Sequence, residues 1–316
     1  WLHVILMGIL GLVYASTLAP DITWANAGAD GPDLIMATYT GGVPHPSGYP
    51  TYMIVARLFQ LLPFGNLAWR TNLMSAVFAI FTAPLLSDLV RRSVRVSDDR
   101  PWLSDLVGVF TALAFGLSPL FWSQAVITEV YTLHTFFIVL LLWLTPFASA
   151  KEAWLFSKKT RLINSKFLDR IGGLIFGLAL GNQLTVVFLL PVWLLIGVFH
   201  RELGANNAKK IRSNRDAITI QLPEPDWNVL IRRVGWLCLG LLVYILIPIR
   251  ARSGSPVIWG NPVDWDGFWW LVSGKMYQDR VLSLDLGYLW PRIRNWAGWL
   301  LDQFGFLGLL LGFFGL

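Results

Sequence analysis

Long apolar runs alternate with short polar segments along this chain, and the length of each run limits what it can become. A helix needs about 20 residues to cross roughly 30 Å of hydrocarbon. The runs Trp1 to Leu18, Leu67 to Val90, Leu103 to Trp122 and Val126 to Phe147 have about that length, and Val234 to Ile249 is a shorter candidate. Ile171 to Phe199 is too long for one crossing. Gly172, Gly173, Gly177, Gly181 and Pro191 interrupt it, which predicts two shorter, broken helices that enter and return. Thr51 to Leu62 is too short to span and reads as a helix lying along the surface. Phe304 to Leu316 closes the sequence in another apolar run. With no Met at position 1 and no polar tail, the sequence reads as a piece of a longer protein.

Composition supports the same picture. Hydrophobic residues make up 55% of 316 positions, charged residues only 14%, and the mean hydropathy is +0.56, which excludes an ordinary soluble domain. The expected fold is all-α: a polytopic membrane protein forming a single transmembrane domain over residues 1–316. A cleaved signal peptide is the alternative for the first run, which ends in Ala15-Ser16-Thr17-Leu18-Ala19; the further spans weigh against it. Cys238 is the only cysteine, so no internal disulfide and no Cys/His cluster of zinc spacing is available.

A net charge of +6 would suit nucleic acid, but the distribution of Lys and Arg fits membrane topology instead, and no nucleic-acid partner is expected. Basic residues crowd into Arg91 to Arg100, Lys151 to Arg170 and Arg201 to Arg233. From Ala19 to Asn66 the only base is Arg57, against Asp21, Asp30 and Asp33. If the basic loops face the cytoplasm, this first polar loop faces outward.

That orientation gathers a set of reactive groups at one face. Asp30, Asp33, His45 and Tyr49 lie in the first loop, Arg70 starts the next span, and Arg250 and Arg252 close the Val234 to Ile249 span. Glu129 falls just inside the outer end of the Val126 to Phe147 span, where a carboxylate is costly and therefore a functional candidate. It could also be hydrogen-bonded to a neighbouring helix or solvated in a turn. His45, restricted between Pro44 and Pro46, serves either as a rigid anchor or as an acceptor contact. Tyr49 and Tyr131 fit interfacial aromatics as well as site residues. The aromatic stretch from Pro256 to Tyr277 either lines a groove for sugar or lipid or rests among headgroups.

The blocks Asp30-Gly31-Pro32-Asp33, His45-Pro46-Ser47-Gly48-Tyr49-Pro50, Arg70 to Ser75, Glu129-Val130-Tyr131-Thr132-Leu133 and Tyr244 to Arg252 occur in an order that resembles the membrane family once known as DUF2723. Its members are similar to protein O-mannosyltransferases and other glycosyltransferases of the GT-C fold. The resemblance implies a GT-C-like helical bundle that takes a sugar from a polyprenyl-phosphate carrier and gives it to a hydroxyl of a protein or glycan. It also implies an active site facing the periplasm or exterior of a bacterial cell membrane. Against the family pattern Asp-x-Gly-Glu, Asp30 matches the Asp, while Asp33 stands where Glu is usual. Asn182 and Gln183 precede Leu184-Thr185 where the family leads one to expect histidine; both can hydrogen-bond a sugar or phosphate, but neither titrates near neutral pH.

The chemistry asks for these residue types on its own account. Transfer to a hydroxyl needs a base, for which Asp30 is the choice. Positive charge at the anomeric carbon calls for a second carboxylate, Asp33 or Glu129. A departing lipid phosphate favours guanidinium groups, Arg250 and Arg252 first and Arg70 third, although lipid headgroup contact and snorkelling would use the same residues. The expectation is catalysis without metal or cofactor, since no metal-ligand cluster stands out and a carboxylate pair alone is weak support for a cation. Two other classes remain. A secondary transporter would share broken helices and buried acids, yet the charged groups here gather at one face and no inverted repeat is visible. A non-catalytic lipid-binding membrane protein would need neither Asp30 nor Glu129.

Overall fold

The computed structural model describes residues 1–94, 101–145, 165–199, 226–282 and 286–315. Most of the three basic loops, including Lys158, Lys159, Arg161, Lys209, Lys210, Arg212 and Arg215, lies outside the described residues. Among those described the regular elements are helical, with one isolated parallel bridge between Val43 and Ile258. In chain order the helices are α1 (Leu2–Thr17), α2 (Gly31–Thr40), α3 (Pro50–Gln60), α4 (Leu67–Ser93), α5 (Pro101–Gly116), α6 (Pro119–Ala125) and α7 (Tyr131–Leu144). They continue with α8 (Ser165–Leu180), α9 (Leu190–Phe199), α10 (Trp227–Leu241), α11 (Leu246–Ala251), α12 (Trp265–Val272), α13 (Lys275–Leu282) and α14 (Leu289–Gly315). The protein is an all-α polytopic membrane protein.

Among the described residues three stretches are long and apolar enough to cross a bilayer: Leu67–Ser93, Trp227–Ala251 and Leu289–Phe314. The structure corrects several sequence boundaries. Leu103 to Trp122 is not a straight rod, because α5 and α6 meet at a 67° bend. Pro119 opens α6; it has no N–H to extend the helix before it and its fixed φ suits the first turn of a new one. Val126 to Val130 is not helical either, so α7 starts at Tyr131 and runs for only 14 residues. Ile171 to Phe199 breaks at Gly181-Asn182-Gln183, as its glycines indicate, and resumes as a 3-10 turn (Leu184–Leu189) before α9. The run read as Val234 to Ile249 extends to Trp227–Ala251, 25 residues in all. The run Thr51 to Leu62 falls in α3, whose 11 residues are too few to span.

The chain divides into two units, Trp1–Phe136 with Ile245–Leu316, and Phe137–Tyr244. In the first, Leu6, Leu10 and Tyr14 repeat every fourth residue of α1 and are fully buried in a cluster with Ala76, Ala79 and Ala83 of α4. The alanines lend little bulk, so α1 and α4 approach closely, and the Tyr14 hydroxyl finds its partner in the Gly116 carbonyl at 2.7 Å. In the second unit α8 packs on α10 through glycines. A Cβ on Gly177 would lie 2.7 Å from the Gly240 Cα, closer than side chains tolerate, so the contact requires small residues.

Candidate active site

Asp30 occupies the N-cap position of α2 and Asp33 its first turn, so three-residue spacing sets both acids on one side of the helix start. The chain leaves α2 through Gly41, in the left-handed region at φ 73°, and doubles back to enter α3 at Pro50. This return carries His45 over the start of α2. The His45 backbone N–H donates to Asp33 Oδ2 at 2.9 Å, and its Nδ1 lies 2.7 Å from the same oxygen. On the other edge of the ring, Nε2 stands 3.5 Å from Asp30 Oδ2.

Each ring nitrogen therefore faces a carboxylate. Burial alone would push the imidazole towards neutrality, but the Asp33 hydrogen bond and the charges of Asp30, Asp33 and Glu129 outweigh it and raise the His45 pKa. Burial would likewise raise the Asp33 pKa; the hydrogen bonds from His45 and Trp259, with the His45 charge, reverse this and hold it low. Trp259 supplies its indole N–H to Asp33 Oδ1 at 3.0 Å, so both Asp33 oxygens are occupied. Asp30 differs: its side chain is 51% exposed and makes no capping hydrogen bond to α2.

Trp259 reaches this point because the segment after α11 is stitched to the first loop. Val43 N–H donates to Val257 O at 2.8 Å, Trp259 N–H donates to Val43 O at 3.1 Å, and the Thr40 and Ser255 hydroxyls meet at 2.6 Å. Gly42 leaves no room for a side chain, which would run into the Val257 carbonyl. The His45 ring lies edge-on to Tyr49 and Trp259, with centroids 5.1 and 6.4 Å away. Tyr49 closes the turn by donating its hydroxyl to Pro46 O at 3.0 Å.

Glu129 arrives from a third piece of chain. Ala19 N–H donates to Val126 O at 2.9 Å, and Asn72 on α4 accepts from the Thr128 hydroxyl at 2.6 Å while donating to Ala19 O at 2.9 Å. Thr128 Cβ sits 3.7 Å from where a Gly31 side chain would begin, so the segment packs on the start of α2 next to Asp30. Glu129 thus lies in the non-helical link before α7 and not inside a span, because the apolar pair Val126-Ile127 extends the hydrophobic pattern past the true helix start. It is buried, and its carboxyl is pushed up to about 7 by burial and then by the Asp30 charge, against smaller opposing effects of the Val130 N–H and His45. Tyr131 stands at the start of α7, two residues after Glu129, and is 46% exposed.

The arginines separate into two kinds. Arg70 donates to the carbonyls of Gln60, Phe64 and Gly65 at 2.7–3.1 Å, clamping the turn after α3. Arg252 does the same for Pro248 and Val263, at 2.8 and 2.7 Å. Arg250 instead keeps a buried Nη1 without a hydrogen-bond partner. Asn182 and Gln183 belong to the second unit, at the break after α8, where Asn182 is fully buried. Sequence reasoning noticed Trp259 only as one of many aromatics; its role follows from a contact spanning 226 positions. Among the described residues no three His, Cys, Asp or Glu side chains are grouped to hold a metal ion.

The family model described as the protein O-mannosyl-transferase TMEM260 N-terminal domain matches residues 30–205, so its match begins at Asp30. Protein O-mannosyl-transferase TMEM260 of Mus musculus is 29% identical over 247 residues, which cover 76% of this chain and 30% of that protein. Protein O-mannosyl-transferase tmem260 of Dictyostelium discoideum is 24% identical over 318 residues, covering 96% of this chain and 35% of that protein. The chain therefore spans about a third of the length of the curated relatives it matches. No solved structure matches it.

Proposed function

The chain belongs to the family of the protein O-mannosyl-transferase TMEM260 N-terminal domain, and from that premise we propose that it moves a sugar, mannose by kinship, from a polyprenyl-phosphate carrier to a hydroxyl of a protein or glycan. The fold class in this reading is GT-C, with the first loop on the non-cytoplasmic face of a bacterial cell membrane and no cofactor beyond the lipid-linked donor. The observation that carries it is the division of labour between two neighbouring acids. Asp33 is fully engaged with His45 and Trp259, whereas Asp30 stays open to an incoming hydroxyl.

As the acceptor oxygen attacks the anomeric carbon, its proton passes to Asp30. The bond between that carbon and the phosphate oxygen breaks, and its electron pair leaves with the lipid phosphate. Asp33 does no proton transfer in this scheme; it fixes His45, whose Nε2 side positions the Asp30 carboxylate. Glu129, when ionised, offsets positive charge on the sugar. Arg250, with its spare N–H, receives the phosphate, and Tyr49 and Tyr131 flank the sugar.

The test is transfer from polyprenyl-phosphate mannose by the full chain. Asp30→Asn should lower the rate by about 10²–10⁴-fold, the range for losing a general base, with normal expression. Wild-type rates in that variant would remove Asp30 from the base role.

A further inference from the structure

An aromatic surface on α12 has no part in the transfer scheme. One membrane-spanning stretch ends at Ala251 and another begins at Leu289, while α12 and α13 between them have 8 residues each, too few to cross. Both short helices therefore stay at one face of the bilayer. Trp265 and Trp269 stand one helical turn apart on α12 and are 68% and 48% exposed. Phe268 lies nearly parallel to Trp265, with centroids 6.0 Å apart, and Trp269 meets both rings edge-on at 5.4 and 5.9 Å. The three rings turn on one another and form a continuous apolar cap, unlike the single open face on which a sugar ring stacks. Elsewhere α12 is packed inward. Leu271 is buried, with its Cδ2 2.8 Å from where a Gly48 side chain would begin, in the turn that carries His45. The Trp270 ring comes within 2.5 Å of the same point on Gly260, the residue after Trp259.

We infer that Trp265, Phe268 and Trp269 anchor α12 among the lipid headgroups, as a lipid-facing mount for the two turns packed behind it. An indole joins an apolar body to a polar N–H, which suits the boundary between headgroups and hydrocarbon. Continuity with the spans supplies the occupant: Ile245 and Ile249 before Ala251, and Leu289 and Ile293 after α13, are exposed apolar side chains of the spanning stretches themselves. Asp264 and Asp266 limit the depth. Both are exposed, and the Asp264 carboxylate caps α12 by accepting the Gly267 N–H at 2.8 Å, so the start of the helix stays wet while the rings enter.

Spin labels on the full chain in nanodiscs of phosphatidylcholine and phosphatidylglycerol test the anchor. Cys238→Ser removes the only cysteine, after which Trp265→Cys, Trp269→Cys and Asp266→Cys each take one nitroxide. All three positions are exposed, so the fold should tolerate the label, and using the same label throughout cancels its own affinity for lipid. At 265 and 269 the nitroxide should collide with oxygen, which concentrates in hydrocarbon, several-fold more often than with a water-soluble nickel chelate, at a depth of about 5–10 Å. At 266 the order should reverse. Nickel exceeding oxygen at both tryptophan positions overturns the inference, and protection of those labels by mannobiose would reassign the rings to sugar binding. Low collision with both reagents overturns it too, because another protein surface then covers the rings. The readout needs no turnover, so its failure and the failure of the proposed reaction are separate results.

Discussion

Each unit of the molecule contains a cluster of charges, and the two are built on opposite plans. In the second unit Asp169 is buried and both its oxygens are taken, Oδ2 by Arg232 and Oδ1 by Arg233, each at 3.1 Å. Arg233 also donates to the Trp193 carbonyl and lies over the Trp193 ring, 4.6 Å from its centre. Bases outnumber the acid, and each carboxylate oxygen is held by a guanidinium. In the first unit Asp30 and Asp33 flank one histidine, Asp30 is open, and the buried Glu129 sits near its titration point at neutral pH. Saturated buried ion pairs lock a packing arrangement, whereas a surplus of acids with one side exposed can take up a proton. Similar residue types thus serve holding in one place and chemistry in the other.

The sharpest way to break this distinction is to neutralise one acid in each cluster. Asp30→Asn should abolish most transfer while changing folding stability by no more than about 0.5 kcal/mol, as for an exposed position. Asp169→Asn should do the reverse. It leaves Arg233, only 4% exposed, without its counter-charge, at a cost of about 3–5 kcal/mol, while transfer per folded molecule persists. Thermal unfolding and transfer assays on both variants read the two axes. Loss of stability in the first, or selective loss of transfer in the second, would erase the contrast.

Dependence on pH gives the next largest effect. The Glu129 carboxyl titrates at about 7 in the folded protein, above the ordinary value of about 4.3 in an unfolded chain. The fold favours its protonated form, so this stabilisation is complete below about pH 4.3 and is lost as pH rises through 7, amounting to roughly 4 kcal/mol. His45, also raised, loses its contribution as pH rises through its own folded value. Asp33, lowered, contributes above the unfolded carboxylate range and loses that as pH falls. Glu129→Gln should therefore flatten the stability profile between about pH 4 and 7 and remove an inflection near 7 from the transfer profile. An unchanged inflection would assign it to another group.

How much of this the sequence disclosed depended on whether partners were local. Asp30, Asp33 and His45 fall within 16 positions and were legible together, because prolines and glycines announce the turn that returns His45 to the acids. The identity of Glu129 was legible but its setting was not, since hydropathy cannot distinguish an apolar link from the first turn of a helix. The arginines were readable only as charges. Whether a guanidinium is occupied depends on backbone carbonyls within reach, and those of Val263 for Arg252 or Phe64 for Arg70 belong to turns that only the folded chain defines. Arg57 looked like the odd base of an acidic loop, and only the folded chain sets its guanidinium 5.5 Å from the centre of the Tyr39 ring.

The smallest effect separates the two tryptophans that attend the two clusters. Trp259 gives an N–H to an acid, and Trp193 gives its ring face and carbonyl to a base. Trp259→Phe keeps an aromatic ring but deletes the donor to Asp33 Oδ1. Because Trp259 is 39% exposed, water replaces much of that bond, and the cost should be about 1 kcal/mol, roughly a fivefold slower transfer. A positioning role requires more than slowing. One of the hydrogen bonds that hold Asp33 low is gone, so its pKa rises and the acid limb of the transfer profile, where Asp33 takes a proton and lets go of His45, moves to higher pH. Trp193→Phe retains a ring face for Arg233 and should lower stability while leaving that limb where it was. If both variants shift the limb, or neither does, Trp259 acts on the first cluster only by filling space.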